Sequence, residues 1–384
     1  MHIIEVVPRF RPAIGGMEEH VYQISLELAK RGHEVTVITS SDVDSEDRPL
    51  QTEIMQGIRV YRSPLIVPRL FRELWLVSNM ASVFRGVKVD VVHTHGYRCM
   101  SSIQATCLAS KRGIPVVLTP HGIYPSRSLA NAFLKSAFDC TFGHILVAHS
   151  KKIVALSEHN VQLLLRIGAM PDKIAVVPNG VCVEEYVDLK KSKVKQEPGS
   201  ANPMLLSVGR IDWNKQLDKV IEAMPLILKS FPSAKFVIVG PDYAKYSGKL
   251  SQLASKTGVD HALVMTGKVT AERLRELYSA ADIFLLPSSY EGFGLSMIDA
   301  MISRVPVIAS SVGGPGDILD HGVHAWLMDA VTPEKIAESV RVLMTDQRLR
   351  ENIVNNAFDL VKDRFTWEKV VDKLEIVYSQ AAGE

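Results

Sequence analysis

No stretch of this sequence is apolar for long enough to span a bilayer. Cysteine is scarce, and the four present, Cys99, Cys107, Cys140 and Cys182, lie far apart with no close pairs. Such spacing excludes the usual zinc and disulfide frameworks, so the thiols read as structural or incidental. The three spaced glycines of a dinucleotide-binding turn are missing. No short-period repeat runs along the chain, which argues against a solenoid. There is no basic leader either: Met1-His2-Ile3-Ile4-Glu5-Val6-Val7 holds an acid inside a short apolar run and reads as a first strand. These absences together lead to the expectation of a cytoplasmic protein, with nucleic acid not among its partners.

What is present is the composition of a globular enzyme: 384 residues, 47% of them hydrophobic and 22% charged, with a formal net charge of +2. That length suits two domains. Short β-branched runs alternate with helical patterns, the signature of parallel sheets covered by helices. Strands are expected at residues 3–7, 34–39, 58–61, 89–93, 116–119, 153–156 and 174–177, and the rhythm resumes at 204–208, 235–239, 264–266, 283–286 and 305–309. Hydrophobic periodicity lapses between Asp188 and Pro203, a run with four lysines, Pro198 and Gly199. The expected architecture is therefore α/β, with two Rossmann-like parallel-sheet domains at 1–187 and 204–365 and a linker at 188–203. The remaining residues, 366–384, form a helix that could cross back to the first domain.

Four places combine polar or glycine residues with the ends of strands. Gly15-Gly16 follows the first strand and opens a helix whose apolar stripe is Met17, Val21, Ile24 and Leu28; two glycines let backbone approach a ligand, and a helix start favours an anion, although a plain tight turn reads the same way. Gly209-Arg210 and Lys215 follow the first strand of the second half, at the edge where open parallel sheets place ligands. There an arginine fork and a lysine point charge suit a diphosphate. Glu291-Gly292-Phe293-Gly294-Leu295 follows the strand at 283–286 and leads into a helix carrying Asp299; one acid can serve sugar hydroxyls and the other ribose hydroxyls, or both can be solvated. His121, in Thr119-Pro120-His121-Gly122, stands at a strand end and before a glycine, either structural or catalytic, and His93 and His95 similarly end a strand.

Taken in order, Gly15-Gly16, Thr119-Pro120-His121-Gly122, Val177-Pro178-Asn179-Gly180-Val181, Gly209-Arg210 with Lys215, Glu291-Gly292-Phe293-Gly294 and Gly313-Gly314 resemble the motif set of the GT-B retaining glycosyltransferases. The likeness is nearest to family 4, which includes phosphatidylinositol mannosyltransferases and sucrose synthases, and it runs from residue 1 to about 380. It implies two domains facing a central cleft, a nucleotide in the second and an acceptor in the first, with closure between them. By that resemblance Arg210 and Lys215 hold the diphosphate, Glu291 contacts the donor sugar, Asp299 holds the ribose and His121 lies near the reacting carbon. Gly15, Gly16, Gly209, Gly292, Phe293, Gly294 and Leu295 would line the donor. Retention of configuration is implied in the same way. Three positions depart from the pattern: Asp299 replaces the usual Glu, Gln216 follows Lys215 in place of glycine, and Gly316-Asp317 stands where Pro-Glu is common.

The reading is transfer of a hexose or N-acetylhexosamine from a UDP- or GDP-sugar to an acceptor hydroxyl, with no cofactor and no metal. The only early Asp-x-Asp, Asp42-Val43-Asp44, sits in a polar run that reads as a solvated loop, and Arg210 and Lys215 can supply the positive charge instead. A sugar-nucleotide epimerase of the same fold and a non-catalytic sugar-nucleotide binder are the rivals. Between Arg62 and Lys152 twelve Lys/Arg face three acids, Glu73, Asp90 and Asp139, an excess of nine. This is either a solvated surface or the mark of an acidic partner such as an anionic membrane. Two apolar stripes in that half, one after Pro68 (Leu70, Phe71, Leu74, Trp75 and Val77) and one at Leu129, Phe133, Leu134, Ala137 and Phe138, suit either core packing or a membrane interface. A lipid-linked or otherwise anionic acceptor on the cytoplasmic membrane face, approached through Arg62, Arg69 and Arg72, is the corresponding expectation.

Overall fold

The computed structural model describes residues 1–13, 15–41, 51–66, 76–85, 87–122, 129–187, 203–242 and 245–383. The expected linker (apart from Pro203), Asp42-Val43-Asp44, and the stripe after Pro68 up to Trp75 lie outside these residues. The chain divides into two compact units, one made of residues 1–180 and 367–384, the other of residues 181–366.

The first unit is built on eight strands: β1 (His2–Val6), β2 (Glu34–Ser40), β3 (Gln51–Met55), β4 (Ile58–Ser63), β5 (Val91–His95), β6 (Val116–Thr119), β7 (Lys152–Ala155) and β8 (Ile174–Val176). Their order across the sheet is β3-β4-β2-β1-β5-β6-β7-β8, and every pairing is parallel except β3 with β4. β1 and β5 are buried along their whole length, yet they carry polar residues into the interior, His2 and Glu5 on β1 and His93, Thr94 and His95 on β5. β3 was not legible in sequence. It is an edge strand with Ile54 77% exposed, and it joins β4 through Gln56 and Gly57, both at positive φ, the requirement of a tight two-residue hairpin turn.

β5 runs two residues later than the sequence suggests, so His95 ends it while His93 lies inside it. The helix Trp367–Ala382 belongs to this unit and contributes the fully buried Tyr378.

The second unit holds β9 (Met204–Val208), β10 (Lys235–Val239), β11 (Leu263–Gly267), β12 (Ile283–Leu286), β13 (Val307–Ser310) and β14 (Trp326–Met328), in the order β11-β10-β9-β12-β13-β14 and all parallel. Its core packs Leu205, Phe236, Ile283 and Ile308 of the sheet against Val220, Ile221 and Met224 of the helix Leu217–Ser230. β13 begins after Pro306, which has no N–H to donate to a ladder, and β14 has only three residues, too few for a period to show.

Each sheet reverses its winding at one place, between β1 and β5 in the first unit and between β9 and β12 in the second. At such switch points the loops leaving the carboxyl ends of neighbouring strands diverge and leave a crevice. The predicted site residues fall at these two edges.

Candidate active site

In the second unit a small cavity opens at the carboxyl edge of β9 and β12, lined by Gly209, Arg210, Lys215 and Leu286 among others. Asp212 shapes its first wall: the carboxylate accepts the Asn214 N–H at 2.9 Å and caps the short 3-10 turn Trp213–Lys215. Asn214 then ties that turn to the loop after β12, its side chain donating to the Tyr290 carbonyl at 2.8 Å and its carbonyl accepting the Ser289 N–H at 2.8 Å.

This tie sets Lys215 opposite Glu291. The lysine Nζ donates to Glu291 Oε2 at 2.7 Å, and the side chains are 17% and 15% exposed, shielded yet open to a ligand. Ser288 Oγ lies 3.4 Å from the same carboxylate oxygen. Arg210 is more open, with its guanidinium 3.9 Å from Asp212.

The backbone at Glu291 is fixed from behind. Gly313, at φ +69°, comes so close that a Cβ there would stand 2.2 Å from the Glu291 carbonyl, and the Gly314 N–H donates to that same carbonyl at 2.8 Å. Only glycine allows this approach. Gly294, at φ +93°, caps the helix Leu295–Ile302. Gly292 is buried beside it, and the ring of Phe293 packs edge-on against Phe365, so this residue has only backbone to offer a ligand. Asp299 sits about one turn into the helix and accepts a hydrogen bond from Tyr186, whose hydroxyl pKa burial and then the Asp299 charge push well above the ordinary value.

Gln216 has φ +47° and ψ 37°, a left-handed conformation. This accounts for the glycine that the family pattern places there, since a side chain in this region costs about 1 kcal/mol.

In the first unit the predicted residues gather on a buried polar cluster. Glu5 of β1 is fully buried; its carboxylate receives His95 Nε2 at 2.6 Å and the Tyr378 hydroxyl at 3.1 Å. A carboxylate offers only acceptors, so His95 must carry its proton on Nε2 and leave Nδ1 as an acceptor. His121 Nε2 lies 2.9 Å from that Nδ1 and must donate to it. A chain Glu5–His95–His121 thus fixes the tautomer of His121 and turns its Nδ1 lone pair outward from the relay. His121 itself is held at φ +57°. His93 is not at a strand end as expected; it is buried within β5 between Tyr378, at 2.8 Å, and Thr119, at 2.7 Å, a structural position.

His20, on the helix Gly16–Lys30, completes the group, donating through Nδ1 to Asn179 Oδ1 at 2.5 Å. Burial first, and then the neighbouring His93, lower the His20 pKa to about 4; burial and the surrounding histidines hold His95 and His121 well below the ordinary value. Gly15 and Gly16 begin the same helix, where the carboxylate of Glu18 folds back toward Gly15 and pairs with Arg9 at 2.8 Å.

These shifts have a measurable consequence. An unfolded histidine titrates near 6.5. Below that pH the unfolded chain takes up protons that the folded cluster of His20, His95 and His121, packed around Glu5 and His93, refuses. Stability is therefore complete above about pH 6.5 and falls as pH drops, by roughly 3 kcal/mol near pH 4 from His20 alone. Thermal melts followed by circular dichroism should show the melting temperature declining between pH 7 and pH 5, less steeply in His20→Gln. A flat profile in the wild type would contradict the buried neutral cluster.

Of the residues expected from the sequence, Gly209, Arg210, Lys215, Glu291, Gly292, Phe293, Gly294, Leu295 and Asp299 fall in the second unit, and Gly15, Gly16 and His121 in the first. The sequence did not single out Glu5, His20, Tyr186, Ser288 or Tyr378, and it offered Asn179 only as part of the motif Val177-Pro178-Asn179-Gly180-Val181. Of the first five, only Glu5 left a signal, an acid inside a short apolar run.

Two sheets, parallel but for one edge hairpin, with glycine-rich loops and polar groups at the carboxyl ends of their strands, place this chain among the α/β proteins that hold ligands at a switch point. Residues 189–359 match the family described as "Glycosyl transferases group 1", and residues 14–185 match "Glycosyltransferase Family 4". The chain is 30% identical to an uncharacterized glycosyltransferase, MJ1607, of Methanocaldococcus jannaschii, over 99% of this chain and 98% of that protein. It is 27% identical to the phosphatidylinositol N-acetylglucosaminyltransferase gpi3 subunit of Schizosaccharomyces pombe, over 98% and 80% of the two chains. Among solved structures, Anabaena Alr3699/HepE in complex with UDP and glucose superposes with a TM-score of 0.76 at 18% identity, covering 99% of each chain. The chain belongs to the family 4 glycosyltransferases and has the GT-B fold.

Proposed function

We propose that this glycosyltransferase moves a hexosyl or N-acetylhexosaminyl group from a UDP- or GDP-sugar to a hydroxyl of an anionic, lipid-linked acceptor, with retention and without a metal. The observation that carries the reading is the Lys215–Glu291 pair at the crevice of the second unit, a cation for the diphosphate beside an acid for the sugar hydroxyls. Arg210 adds a second cation, and Asp299 is the group assigned to the ribose. UDP in the HepE complex supports a nucleotide donor, and the gpi3 relative's name supports N-acetylglucosamine and an inositol lipid as the first donor sugar and acceptor to try.

His121 is assigned to the donor sugar near the reacting carbon. Burial keeps it neutral and the Glu5–His95 chain orients it, so that its free nitrogen can accept a hydrogen bond while the departing diphosphate takes the acceptor's proton. The positive charge that a metal supplies in other transferases would come from Arg210 and Lys215.

The membrane part of the proposal rests on the basic excess between Arg62 and Lys152 and on the helix Leu129–Phe138. Phe133 is 73% exposed there, and Phe142 just beyond it is 42% exposed, whereas Phe138 packs against the core and Val77 of the other stripe is buried. No helix among the described residues is long and apolar enough to cross a membrane. Attachment would therefore be peripheral and salt-sensitive.

The test has two parts. A thermal-shift screen over UDP- and GDP-sugars should single out one donor, since a ligand at a hundredfold excess over its Kd stabilises by about 2.7 kcal/mol. The selected donor is then incubated with phosphatidylinositol in anionic vesicles, with and without EDTA. Release of nucleotide that requires the acceptor, and that EDTA leaves intact, is the expected result. Isomerised donor without acceptor would point to an epimerase, and donor binding with no release to a silent binder; loss of activity that Mg²⁺ restores would refute the metal-free mechanism.

A further inference from the structure

The histidine cluster of the first unit contains something that sugar transfer does not require. His20 is fully buried, and its Nε2 has no hydrogen-bond partner among the described residues, although its Nδ1 is fully engaged by Asn179. A buried polar atom without a partner costs about 1–3 kcal/mol, so an orphaned nitrogen in an otherwise satisfied cluster calls for an explanation. Because Nδ1 donates its proton to the Asn179 oxygen, Nε2 is the ring atom with the lone pair.

One nitrogen each of His20, His95 and His121 lie within 4.8 Å of one another, and His95 Nδ1 and His121 Nε2 are only 2.9 Å apart. We propose that these three imidazoles form a binding site for a divalent transition-metal ion of the zinc type, with the fourth position left to water.

Three features support this site beyond proximity. Zinc–nitrogen bonds of 2.0–2.1 Å in a tetrahedron put ligand nitrogens about 3.3 Å apart, so the His95–His121 edge needs little adjustment and His20 only a modest inward shift. Metal-bound histidines commonly donate their other N–H to a carboxylate or carbonyl oxygen, and here Glu5 already serves His95 and Asn179 already serves His20. Burial also holds all three rings neutral at physiological pH, so no proton competes for their lone pairs. On binding, the proton of His121 moves from Nε2 to Nδ1, a change of tautomer with no net proton release.

His121 is only partly buried and gives the ion a way in. The neighbouring set Glu5, His93 and His95 is also compact, but it is fully buried and its members already hydrogen-bond to one another, to Tyr378 or to Thr119. Since the metal would occupy His121, bound zinc acts as an inhibitor of the transferase and not as its cofactor, which is compatible with activity in EDTA.

The experiment uses the full chain dialysed against EDTA, with Zn²⁺ followed by calorimetry and Co²⁺ followed by visible absorption, neither of which depends on catalysis. Expected are one equivalent bound per chain, intense four-coordinate Co²⁺ bands, and a loss of affinity of at least about tenfold in both His20→Ala and His121→Ala. His93→Gln should bind as the wild type does. Circular dichroism melts without metal establish that each variant is folded, and the pair of ligand variants keeps the test decisive if one is not. No uptake by the wild type at 100 μM metal, octahedral Co²⁺ spectra, or undiminished binding in the folded ligand variants would overturn the proposal, because the ion would then be held elsewhere or not at all. Loss of binding in His93→Gln alone would assign it to the Glu5 set instead and would equally overturn it.

Discussion

Replacing His121 by alanine is expected to lower the transfer rate about a hundredfold while leaving donor affinity and the far-ultraviolet spectrum unchanged. The orientation of His121 originates at Glu5. Its buried carboxylate fixes the proton of His95 on Nε2, His95 in turn fixes that of His121, and the remaining lone pair of His121 is held in one direction by backbone at φ +57°. An oriented neutral imidazole contributes most where charge changes during the reaction, so its loss should appear in kcat and much less in KM. Alanine at positive φ costs about 1 kcal/mol in itself. His121→Asn, which tolerates that backbone, is therefore the control: it should melt like the wild type and be as inactive as the alanine variant. If both variants turn over within about threefold of wild type, His121 is structural. His95→Gln should act more weakly through His121, with a changed pH profile marking a positioning role.

Lys215→Ala should have the larger effect, on the order of a hundredfold to a thousandfold in kcat, because negative charge on the leaving diphosphate is greatest in the transition state. Donor affinity should fall less. The substitution removes the 2.7 Å partner of Glu291 and leaves Ser288, at 3.4 Å, as its neighbour, so the acid loses its anchoring as well. Glu291→Gln separates the two effects: it keeps shape but weakens the pair, and it should raise KM for the donor more than it lowers kcat. Turnover of Lys215→Ala within about threefold of wild type, measured at saturating donor, would remove this lysine from the site.

The parts of the molecule that were legible in sequence are those where one physical requirement acts locally. Buried parallel strands are covered on both faces, so β1, β6, β9, β10 and β12 stand out as short, largely apolar runs. Sharp loops at strand ends must be glycine-rich, so Gly209, Gly294 and Gly313 mark the candidate site in advance. The edge strand β3 escaped notice because Thr52, Glu53 and Ile54 are all exposed and leave no alternation to read, and β14 because three residues show no period.

The sequence by itself determined the α/β class, the strand-end loops and the kinds of residue they carry, since each follows from burial or backbone geometry within a few neighbours. Only the tertiary structure decided which of these residues act together. Lys215 and Glu291 become partners because β9 and β12 are adjacent in the sheet although far apart in the chain. Glu5, His20, His95, His121, Asn179 and Tyr378 form one cluster because β1, β5 and β6 lie side by side and the helix Trp367–Ala382 packs on the same unit. Hydrogen bonds and pKa shifts act over a few ångströms, and a linear pattern contains no information about which distant strands will come within that distance.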